Sequence, residues 1–491
     1  MTPMEDDQER VVIAGAGPVG LALALGLARR GVCSLIFEQK PALSVHSKAV
    51  IVLTRTCEIL HEWEVLDSFK QNSLWRESVE VVDPKSQPIF QMSFGSLRPM
   101  SPTPGVCVLP QDETEKLLYE AAIATGLVEV RFGHTVQTFD QTDNGVRVGF
   151  VGPNGNDAIE GRFLCGCDGA HGSVRAGLGL ALDGKTYKAH AVLADVRVSD
   201  ERDQLPWPRA DFSQPGINAM VRFANGRWRI ILARPGKTDE EPPTPEFVQS
   251  VVNRMLAPGP IEIVWSSAFK IHCRNAAAFR KGRVLLLGDA AHLNSPAGGQ
   301  GMNAGIQDAH NLAWKLAAIL HGANEEKFLN SYDVERQHAI RSGVDVATNR
   351  LTTFGIFMPP WLRGIAFRIM RRLSRKPKYA LLIAKGLGML NYRYGESDLI
   401  DSSGGFYLPD LELEPGLRLR AVGGANGFLM EWVEGQIKLN ERTWKLNLDA
   451  GVAAQGLGRW TVVRPDCAVA YTGESEIDAK KALEAVAMPE G

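Results

Sequence analysis

Residues 288–305 read GDAAHLNSPAGGQGMNAG, and this stretch decides the fold because it connects a buried strand to a long helix through a glycine-rich loop. The apolar run 284–287 before it, which follows Arg283, predicts a strand buried on both faces, as in a parallel sheet. Apolar residues at helical spacing from about 303 to 320 predict the helix. Asp289 follows the strand directly, where open α/β sheets bind their ligands. The stretch therefore predicts a ligand site.

A second glycine motif, GAGPVG at residues 15–20, lies near the start of the chain. The β-branched run before it and the helical pattern after it predict a strand, a turn and a helix that bind a pyrophosphate at the helix N-terminus. Glu38 ends the next apolar run, at the distance at which an acid accepts a hydrogen bond from a ribose hydroxyl. The motif predicts a dinucleotide but does not distinguish NAD from FAD. The predicted site comprises Gly15, Ala16, Gly17, Pro18, Val19, Gly20, Glu38 and Gln39.

The second helix N-terminus favours a flavin over a nicotinamide. Its unpaired N–H groups and positive dipole end suit a group that becomes anionic, such as the N1–C2=O edge of reduced flavin. The alternative is that Asp289 is only a helix cap, but a cap does not require three glycines around a proline. One FAD molecule long enough to reach both glycine segments explains why both are present.

Composition excludes several other classes of protein. The chain has 491 residues, of which 45% are hydrophobic, and a net charge of −2, which predicts a globular protein of two or three domains and no nucleic-acid partner. Seven scattered cysteines without a C-x-x-C pair predict reduced thiols, no metal site and a cytoplasmic location. The acidic start predicts no signal or transit peptide. No apolar run reaches the roughly 18 to 20 residues of a transmembrane segment.

Three segments together resemble the FAD-dependent aromatic hydroxylases, the single-component flavoprotein monooxygenases of the para-hydroxybenzoate hydroxylase and phenol hydroxylase type. They are GAGPVG, the sequence CDGAHGSVR at 167–175, and the stretch from Gly288 to Asn303. The resemblance implies an α/β fold with a Rossmann-like FAD-binding domain, an inserted antiparallel β-sheet substrate domain and a small C-terminal thioredoxin-like α/β region. The expected parts are 1–185 and 276–405 for FAD binding with bridging helices, 186–275 for the substrate sheet and 406–491 for the C-terminal region.

The resemblance also implies roles for single residues. Glu38 would hold the adenosine ribose and Asp289 the ribityl chain, and Pro296 would line the reactive face of the isoalloxazine. Lys48 stands where arginine is usual, and lysine lacks the bidentate fork of arginine. A structural role is the favoured interpretation for Asp168, Ser173 and Arg175. The further implied FAD contacts are Lys48, Arg55, Gln111, Asp168, Gly288, Gly299, Gly301, Met302 and Asn303.

The implied reaction uses NADPH or NADH and O2 to hydroxylate a phenolic or polyketide-like aromatic substrate through a flavin C4a-hydroperoxide. Because the cofactor carries the chemistry, no catalytic base is assigned. The alternatives are an FAD-dependent reductase or dehydrogenase without oxygen insertion, and a non-catalytic flavin-binding protein. A flavin halogenase is disfavoured because its Trp-x-Trp-x-Ile-Pro stretch is absent. Four residues are possible bases, although a lone His or Tyr has a structural role more often than a catalytic one. They are His46, His292, Tyr187 and Tyr394.

Three further regions yield weaker predictions. Period-two runs between about 190 and 272 predict the antiparallel sheet, with Met220, Arg222, Trp228 and Arg234 as candidates for its substrate side, although packing is the commoner role. Residues 351–395 predict basic helices, for which a solvated face is favoured over a peripheral membrane contact. The C-terminal region has no C-x-x-C and is interpreted as structural, with a homodimer contact as one role.

Overall fold

A six-stranded sheet lies at the centre of the computed structural model, which describes residues 9–44, 48–236, 241–424, 426–433, 436–440, 442–445 and 457–487. Its first strand pairs in parallel with a neighbour on each side, and only the edge strand at 280–281 is antiparallel. The inner strands are buried on both faces, which explains their unbroken apolar runs. Across the sheet the strands are Arg280–Lys281, Val284–Leu286, Phe163–Gly166, Val11–Ala14, Ser34–Glu38 and Val128–Phe132.

Two long helices pack against each other and share one hydrophobic core with this sheet. The first, Pro18–Ala28, is buried from Gly20 onward, and the second, Gln300–Leu320, starts three residues earlier than predicted. The other helices are Thr54–Glu62, Leu66–Asn72, Gln111–Ala124, Ser173–Gly177, Asp200–Asp203, Pro245–Met255, Glu325–His338, Asp345–Thr352, Pro360–Leu373, Pro377–Leu387, Leu419–Gly423 and Glu476–Val486, with 3-10 turns at Phe94–Leu97 and Gly288–Ala290 and π-helical turns at Ala339–Val344 and Thr353–Phe357.

An eight-stranded sheet forms the predicted substrate domain. It is antiparallel except where 209–210 meets 78–82, and it takes in two strands from the first part of the chain. Its edge strand His292–Leu293 belongs to the second glycine segment, which is thereby attached to this sheet. In spatial order the strands are His292–Leu293, Ile261–Ala276, Leu182–Val198, Arg227–Pro235, Ile217–Arg222, Arg209–Ala210, Ser78–Val82 and Pro88–Ser93.

Two small antiparallel sheets flank the nucleotide-binding core. One joins Gly155–Gly161, Val146–Gly152 and Thr135–Gln141, and the other joins Ile51–Val52, Val106–Val108 and Leu74–Arg76. The second of these places residues 51–53 next to the long helix, where they take part in the candidate site described below.

The C-terminal region has its own apolar core, with Leu411, Met430 and Ile437 completely buried. Its helix 476–486 packs on the sheet. These layers confirm the predicted α/β fold class, whereas the domain boundaries at 185, 275 and 405 stay predictions. The strands are Arg442–Lys445, Gln436–Leu439, Phe428–Val433, Trp460–Val463 and Val469–Gly473 in one antiparallel sheet, and Glu412–Glu414 with Leu417–Arg418 in a separate hairpin.

Four buried charged residues, which we call the ion cluster, join this region to the nucleotide-binding core. Glu335 accepts hydrogen bonds from Lys315 at 2.8 Å and from Arg464 at 2.7 and 2.8 Å, and Arg464 also pairs with Asp466 at 2.6 Å. Burial opposes ionisation of Glu335, but Arg464 and Lys315 outweigh it and lower the pKa of Glu335 to about 2. The paired charges therefore fix one packing of the C-terminal region on the core.

Within the described residues, no helix combines the length and the apolar composition needed to cross a bilayer. The same residues contain no group of three or more His, Cys, Asp or Glu side chains that could hold a metal ion. All seven cysteines are free thiols.

Candidate active site

The two glycine segments meet at Val19. A Cβ atom at Gly288 would lie 2.8 Å from Val19 Cγ2, and one at Gly305 would lie 2.5 Å from the same atom. Gly288 also has a φ of +57°, a conformation that favours glycine. The start of the first helix therefore packs directly on the strand end at 288, and the two motifs form one site.

The glycines at 15–20 divide into packing positions and one open position. A Cβ at Gly15 would lie 2.5 Å from the Cys167 carbonyl oxygen, and one at Gly20 would lie 2.0 Å from the Gly15 carbonyl oxygen. A Cβ at Gly17 would meet no protein atom within 4 Å. Gly17 is the N-cap of the helix Pro18–Ala28, which has no side-chain cap. Its N-terminal N–H groups therefore border open space, as a pyrophosphate site requires.

Glu38 lies beside this turn. Its Oε2 accepts a hydrogen bond from the Ala16 N–H at 2.8 Å, and its Oε1 accepts one from the Lys40 N–H at 3.0 Å. Glu38 is half-buried and Gln39 is exposed. The carboxylate therefore fixes the turn, and its predicted contact with a ribose stays a prediction.

The loop 294–299 links the strand end to the long helix through two glycines in the left-handed region. Gly298 has a φ of +89° and Gly299 a φ of +65°, and the Gly299 N–H donates to the Pro296 carbonyl at 3.1 Å. A Cβ at Gly299 would lie 2.8 Å from Ile51 Cγ2. The Pro296 side of this loop is exposed. The two glycine conformations and the hydrogen bond to the Pro296 carbonyl therefore define the path of this loop, and Pro296 lies on its exposed side.

Asn303 braces the start of the long helix. Its Oδ1 accepts from the Leu53 N–H at 2.8 Å, and its Nδ2 donates to the Ile51 and Gly299 carbonyls at 3.0 and 2.8 Å. The side chain is completely buried, so its amide bonds protein groups rather than a ligand. Gly301 and Met302 are half-buried, and a Cβ at Gly301 would meet no protein atom within 4 Å. Gly301 is thus the counterpart of Gly17 at the second helix.

Asp289 lies on the turn Gly288–Ala290 with an exposed side chain. The carboxylate is therefore positioned at the carboxyl end of the central sheet, as predicted, and it remains accessible to a polar ligand.

Asp308, a buried carboxylate that was not predicted from the sequence, supports this turn. It accepts hydrogen bonds from the Gly288 N–H at 3.0 Å, from His292 Nε2 at 2.7 Å and from Arg336 Nε at 2.7 Å. Burial lowers the pKa of His292, but the Asp308 carboxylate outweighs burial and raises it. His292 is therefore a brace. The signal for Asp308 was a charged residue on the apolar face of a predicted amphipathic helix.

Gln111 holds the segment at 48–49. Its Oε1 accepts from the N–H groups of Lys48 at 3.3 Å and Ala49 at 3.2 Å, and its Nε2 donates to Glu115 at 2.8 Å. Burial raises the pKa of Glu115 to about 7. The exposed Lys48 ammonium lies 5.5 Å from the centre of the Phe269 ring. Gln111 thus positions the backbone that faces the substrate sheet.

Arg55 lies away from the glycine segments. It donates to Glu58 at 3.0 Å and to the Asp466 carbonyl at 3.0 Å, and it stacks 4.4 Å from the Tyr407 ring centre. Arg55, Glu58 and Tyr407 border a charged cavity of about 490 Å³ between the helix 54–62 and the C-terminal region. The Arg55 side chain is therefore engaged with the C-terminal region, and its predicted contact with FAD stays a prediction.

Asp168 and its neighbours shape the segment 167–175. Asp168 Oδ2 accepts from the Val174 N–H at 3.0 Å and from the Ser173 hydroxyl at 3.3 Å, and Arg175 donates to the Ala290 carbonyl at 3.0 Å. These contacts agree with the favoured structural role for the three residues, and Arg175 connects their segment to the turn at Asp289.

The four substrate-side candidates lie on the wrong face of the large sheet for that role. Met220 and Trp228 are completely buried under the helix Pro245–Met255, Arg222 pairs with Asp203, and Arg234 lies 5.5 Å from the Phe247 ring on the same side. Alternation along a strand is readable from sequence, but which of the two faces meets the cofactor domain is set by tertiary packing.

The opposite face, here called the inner face, consists of Ala191, Leu193, Ile217, Ala219, Ile231 and Phe269, which pair across neighbouring strands. Arg229 on this face donates to the Ala49 carbonyl at 3.4 Å. The segment at 48–53 is in turn held by Gln111 and Asn303. The inner face therefore lies over the segment that borders the second glycine loop.

The possible bases have structural surroundings or lie outside the described residues. His46 lies outside them. Tyr394 is half-buried and lies between Arg336 and Arg464, with guanidinium carbons 5.7 and 5.5 Å from its ring centre. Tyr187 lies at the edge of the inner face, and burial raises its pKa to about 12. Its hydroxyl therefore keeps its proton at neutral pH.

A family profile described as "FAD binding domain" matches residues 8–347. The chain belongs to the FAD-dependent aromatic hydroxylases. It is 32% identical to a 12-dehydrotetracycline 5-monooxygenase/anhydrotetracycline 6-monooxygenase of Streptomyces rimosus, over 95% of each chain. It is also 32% identical to a 3-(3-hydroxy-phenyl)propionate/3-hydroxycinnamic acid hydroxylase of Mycolicibacterium smegmatis, over 69% of this chain and 60% of that one. The solved anhydrotetracycline hydroxylase of S. rimosus superposes with a TM-score of 0.75 and 30% identity, covering 98% of this chain and all of that one.

The described residues fit the cofactor of this hydroxylase family. Gly17 and Gly301 each have open space where a side chain would stand, at the starts of two helices that have no side-chain cap. The packing at Val19 brings these helix starts to one site. The protein is therefore a flavoprotein monooxygenase that uses FAD, with NAD(P)H as the usual reductant of its family.

Proposed function

We propose that this monooxygenase inserts one oxygen atom into a phenolic or polyketide-like aromatic ring, using NADPH or NADH as the electron donor. The balanced reaction consumes the aromatic substrate, O2, NAD(P)H and a proton, and it yields the hydroxylated aromatic, water and NAD(P)+. The relatives named above are monooxygenases of 12-dehydrotetracycline and anhydrotetracycline, and a hydroxylase of 3-(3-hydroxy-phenyl)propionate and 3-hydroxycinnamic acid. The observation that carries the proposal is the apolar inner face above the segment at 48–53, which is tied to the second glycine loop.

FAD supplies the activation of oxygen when it is bound and reduced. The residues that would hold it are Gly17 and the N–H groups of the helix 18–28 for the pyrophosphate, Asp289 for the ribityl chain, and Gly301 with Met302 for the ring system. The free N–H groups of the helix 300–320 would stabilise negative charge on the group they face. Asn303 and Asp308 act on the protein side by keeping the loop and the strand end in place.

The inner face has the chemistry to orient a flat, apolar ring. Leu193, Ile231 and Phe269 are apolar, and the last two are half-buried and thus accessible to a ligand. An apolar wall excludes water from the reacting centre and limits wasteful reaction of the activated oxygen. Substrate positioning, rather than proton transfer by a dedicated base, is therefore the main contribution of this chain to the reaction.

Isotope labelling tests the reaction directly. Turnover of a phenol or a polycyclic aromatic under 18O2, followed by mass spectrometry, should give a product with one labelled oxygen atom. A product without label, or equal turnover in the absence of O2, would instead support an FAD-dependent reductase or dehydrogenase on the same fold.

A pair of tryptophan substitutions tests the location of the substrate. Ile231→Trp should narrow the cleft and raise KM for the aromatic substrate, because Ile231 lies on the inner face. Val264→Trp is the matched control, because Val264 belongs to the same sheet and is 41% exposed. Equal KM values for the two variants, with FAD content unchanged in both, would argue against the inner face as the substrate wall.

A further inference from the structure

Residues 346–395 are strongly basic in an otherwise balanced chain. They contain seven arginines and three lysines but no Asp or Glu, whereas the whole chain has 54 basic and 56 acidic residues. The helices Pro360–Leu373 and Pro377–Leu387 lie within this segment. Arg368, Arg371 and Arg372 on the first of them are exposed, as are Arg375, Lys376 and Lys378 in the turn and at the start of the second helix. This part of the surface therefore attracts anions.

Large apolar side chains are exposed on the same two helices. Trp361, Ile365 and Ile369 recur at intervals of four residues on the first helix, with 69%, 43% and 55% of their surface exposed. Leu382 on the second helix is 59% exposed. We call Trp361, Ile365 and Ile369 the apolar patch. A solvated basic face accounts for the arginines, but it does not account for this row of exposed apolar residues.

The opposite side of the first helix is firmly anchored. Arg363 is completely buried and donates to the carbonyls of Gly216, Gln214 and Gly355. Phe367 is buried and stacks 4.0 Å from the ring centre of Phe212. The apolar patch is therefore presented outward by a rigid helix rather than by a loose one.

We infer that the helices 360–373 and 377–387 dock on an anionic lipid bilayer surface, with the apolar patch inserted among the acyl chains and the surrounding arginines and lysines on the headgroups. An amphipathic helix with Trp and aliphatic residues on one side and Arg or Lys beside them is typical of helices that lie in the membrane interface. The six exposed cations on these helices and the turn between them, with no Asp or Glu in the segment, supply the charge complementarity to anionic lipids.

Docking at this place also sets the position of the substrate cleft relative to the bilayer. The turn Thr353–Phe357 leads into the first helix, and a Cβ at its Gly355 would lie 2.9 Å from Ile217 of the inner face. The membrane-facing helix and the proposed substrate wall are therefore adjacent.

Vesicle co-sedimentation of the FAD-loaded protein tests the inference without any turnover. The protein should pellet with vesicles of mixed phosphatidylcholine and phosphatidylglycerol, and pelleting should weaken with added salt and with vesicles of pure phosphatidylcholine. The double variant Ile365→Glu/Ile369→Glu should partition at least about tenfold less, because two inserted side chains become charged. Arg371→Glu/Arg372→Glu should give a loss of similar size, about tenfold or more, and Arg371→Lys/Arg372→Lys should retain binding.

Ile477→Glu is the matched control, since Ile477 is 69% exposed on the C-terminal helix, and it should pellet like the unchanged protein. Bound FAD and the unfolding temperature report that each variant is folded. Equal pelleting with neutral and anionic vesicles, or full pelleting of Ile365→Glu/Ile369→Glu, would overturn the inference. It would also be overturned if the protein did not pellet and Ile365→Glu/Ile369→Glu converted a dimer to monomers in ultracentrifugation, because the apolar patch would then be a contact between copies of this chain.

Discussion

At Gly17 the fold tolerates a side chain, but FAD binding should not. A Cβ there meets no protein atom, so Gly17→Val should fold with a normal unfolding temperature in the apoprotein. The same side chain would occupy the space through which the backbone approaches a pyrophosphate, so FAD binding should be lost. Flavin absorbance after reconstitution and gel filtration measures this directly.

Gly364→Val is the control for Gly17→Val, because a Cβ at Gly364 also meets no protein atom within 4 Å and the residue lies far along the chain from both glycine segments. It should retain full FAD content. A folded Gly17→Val protein with normal flavin content would show that the pyrophosphate binds elsewhere.

Asp289 tests the second glycine segment at the same scale. Asp289→Ala should weaken FAD binding by about 1 to 3 kcal/mol, or roughly 5- to 160-fold in Kd, through loss of a charge-assisted hydrogen bond. Asp289→Asn should lose less, because an amide oxygen still accepts a hydrogen bond. Fluorescence titration of the apoprotein gives the constants, and an unchanged Kd for both variants would leave Asp289 with a role in the turn alone.

His292 gives a prediction about pH. Its pKa in the folded protein lies above the ordinary value of 6.5 because Asp308 outweighs burial, so the protonated ring stabilises the folded state. That contribution is complete below the unfolded pKa and is lost as the pH rises through the folded pKa. The unfolding temperature of His292→Gln should therefore fall furthest below that of the unchanged protein in acid, and the gap should narrow as pH rises. A gap that widened with pH would contradict a raised pKa.

At the scale of an element, the loop 294–299 has its own prediction. A Cβ at Gly299 would lie 2.8 Å from Ile51, and Gly299 has a positive φ, so Gly299→Ala should shift the loop and Pro296 with it. FAD should stay bound while water reaches the reacting centre, so NAD(P)H oxidation continues, hydroxylated product falls and H2O2 rises. Product yield per NAD(P)H, with peroxide measured in parallel, checks this.

Gly322→Ala is matched to Gly299→Ala because it also has a positive φ, at the other end of the same helix, and a Cβ there meets no protein atom within 4 Å. It carries the same backbone strain without a clash near the loop, so its product yield should stay normal. If both variants lost the same fraction of hydroxylated product per NAD(P)H, the cause would be strain at the helix rather than displacement of the loop 294–299.

Elements with strong local patterns were predictable from the sequence, and contacts between distant segments were not. The strands at 11–14 and 34–38 and the long helix follow from apolar periodicity and glycine placement. The side chain of Asn303 bonds the Ile51 carbonyl and the Leu53 N–H, some 250 residues away, and no local sequence pattern predicts these contacts. The contacts of Arg55 with Asp466 and Tyr407 were unpredictable for the same reason, because both partners lie in the last part of the chain.

At the scale of the whole molecule, we expect the ion cluster to stabilise the packing of the C-terminal region on the nucleotide-binding core. Arg464→Ala leaves Glu335 buried with Lys315 as its remaining cation and removes the partner of Asp466. Breaking a buried pair in this way should lower the free energy of unfolding by about 3 to 5 kcal/mol. Thermal unfolding followed by circular dichroism and by release of FAD measures the loss.

Arg459→Ala is the comparison for Arg464→Ala, since Arg459 pairs with Glu431 in the same region but its side chain is 54% exposed. An exposed pair contributes less than about 1 kcal/mol, so this variant should unfold close to the unchanged protein. Similar small losses in both variants would mean that the C-terminal region is held by its apolar contacts alone.

The order of strands in the central sheet has a consequence for how the protein is made. Val11–Ala14 and Val284–Leu286 flank the same strand, Phe163–Gly166, although about 270 residues separate them in the chain. At roughly 5 to 20 residues per second, a ribosome takes about 15 to 55 s to pass from one to the other. During that interval the helix Gln300–Leu320 has not yet been made, so the apolar side of the helix Pro18–Ala28 that it later covers stays uncovered. FAD should therefore bind late in synthesis. A chain on a ribosome stalled before residue 300 has the first glycine segment but lacks the helix Gln300–Leu320 that completes the site.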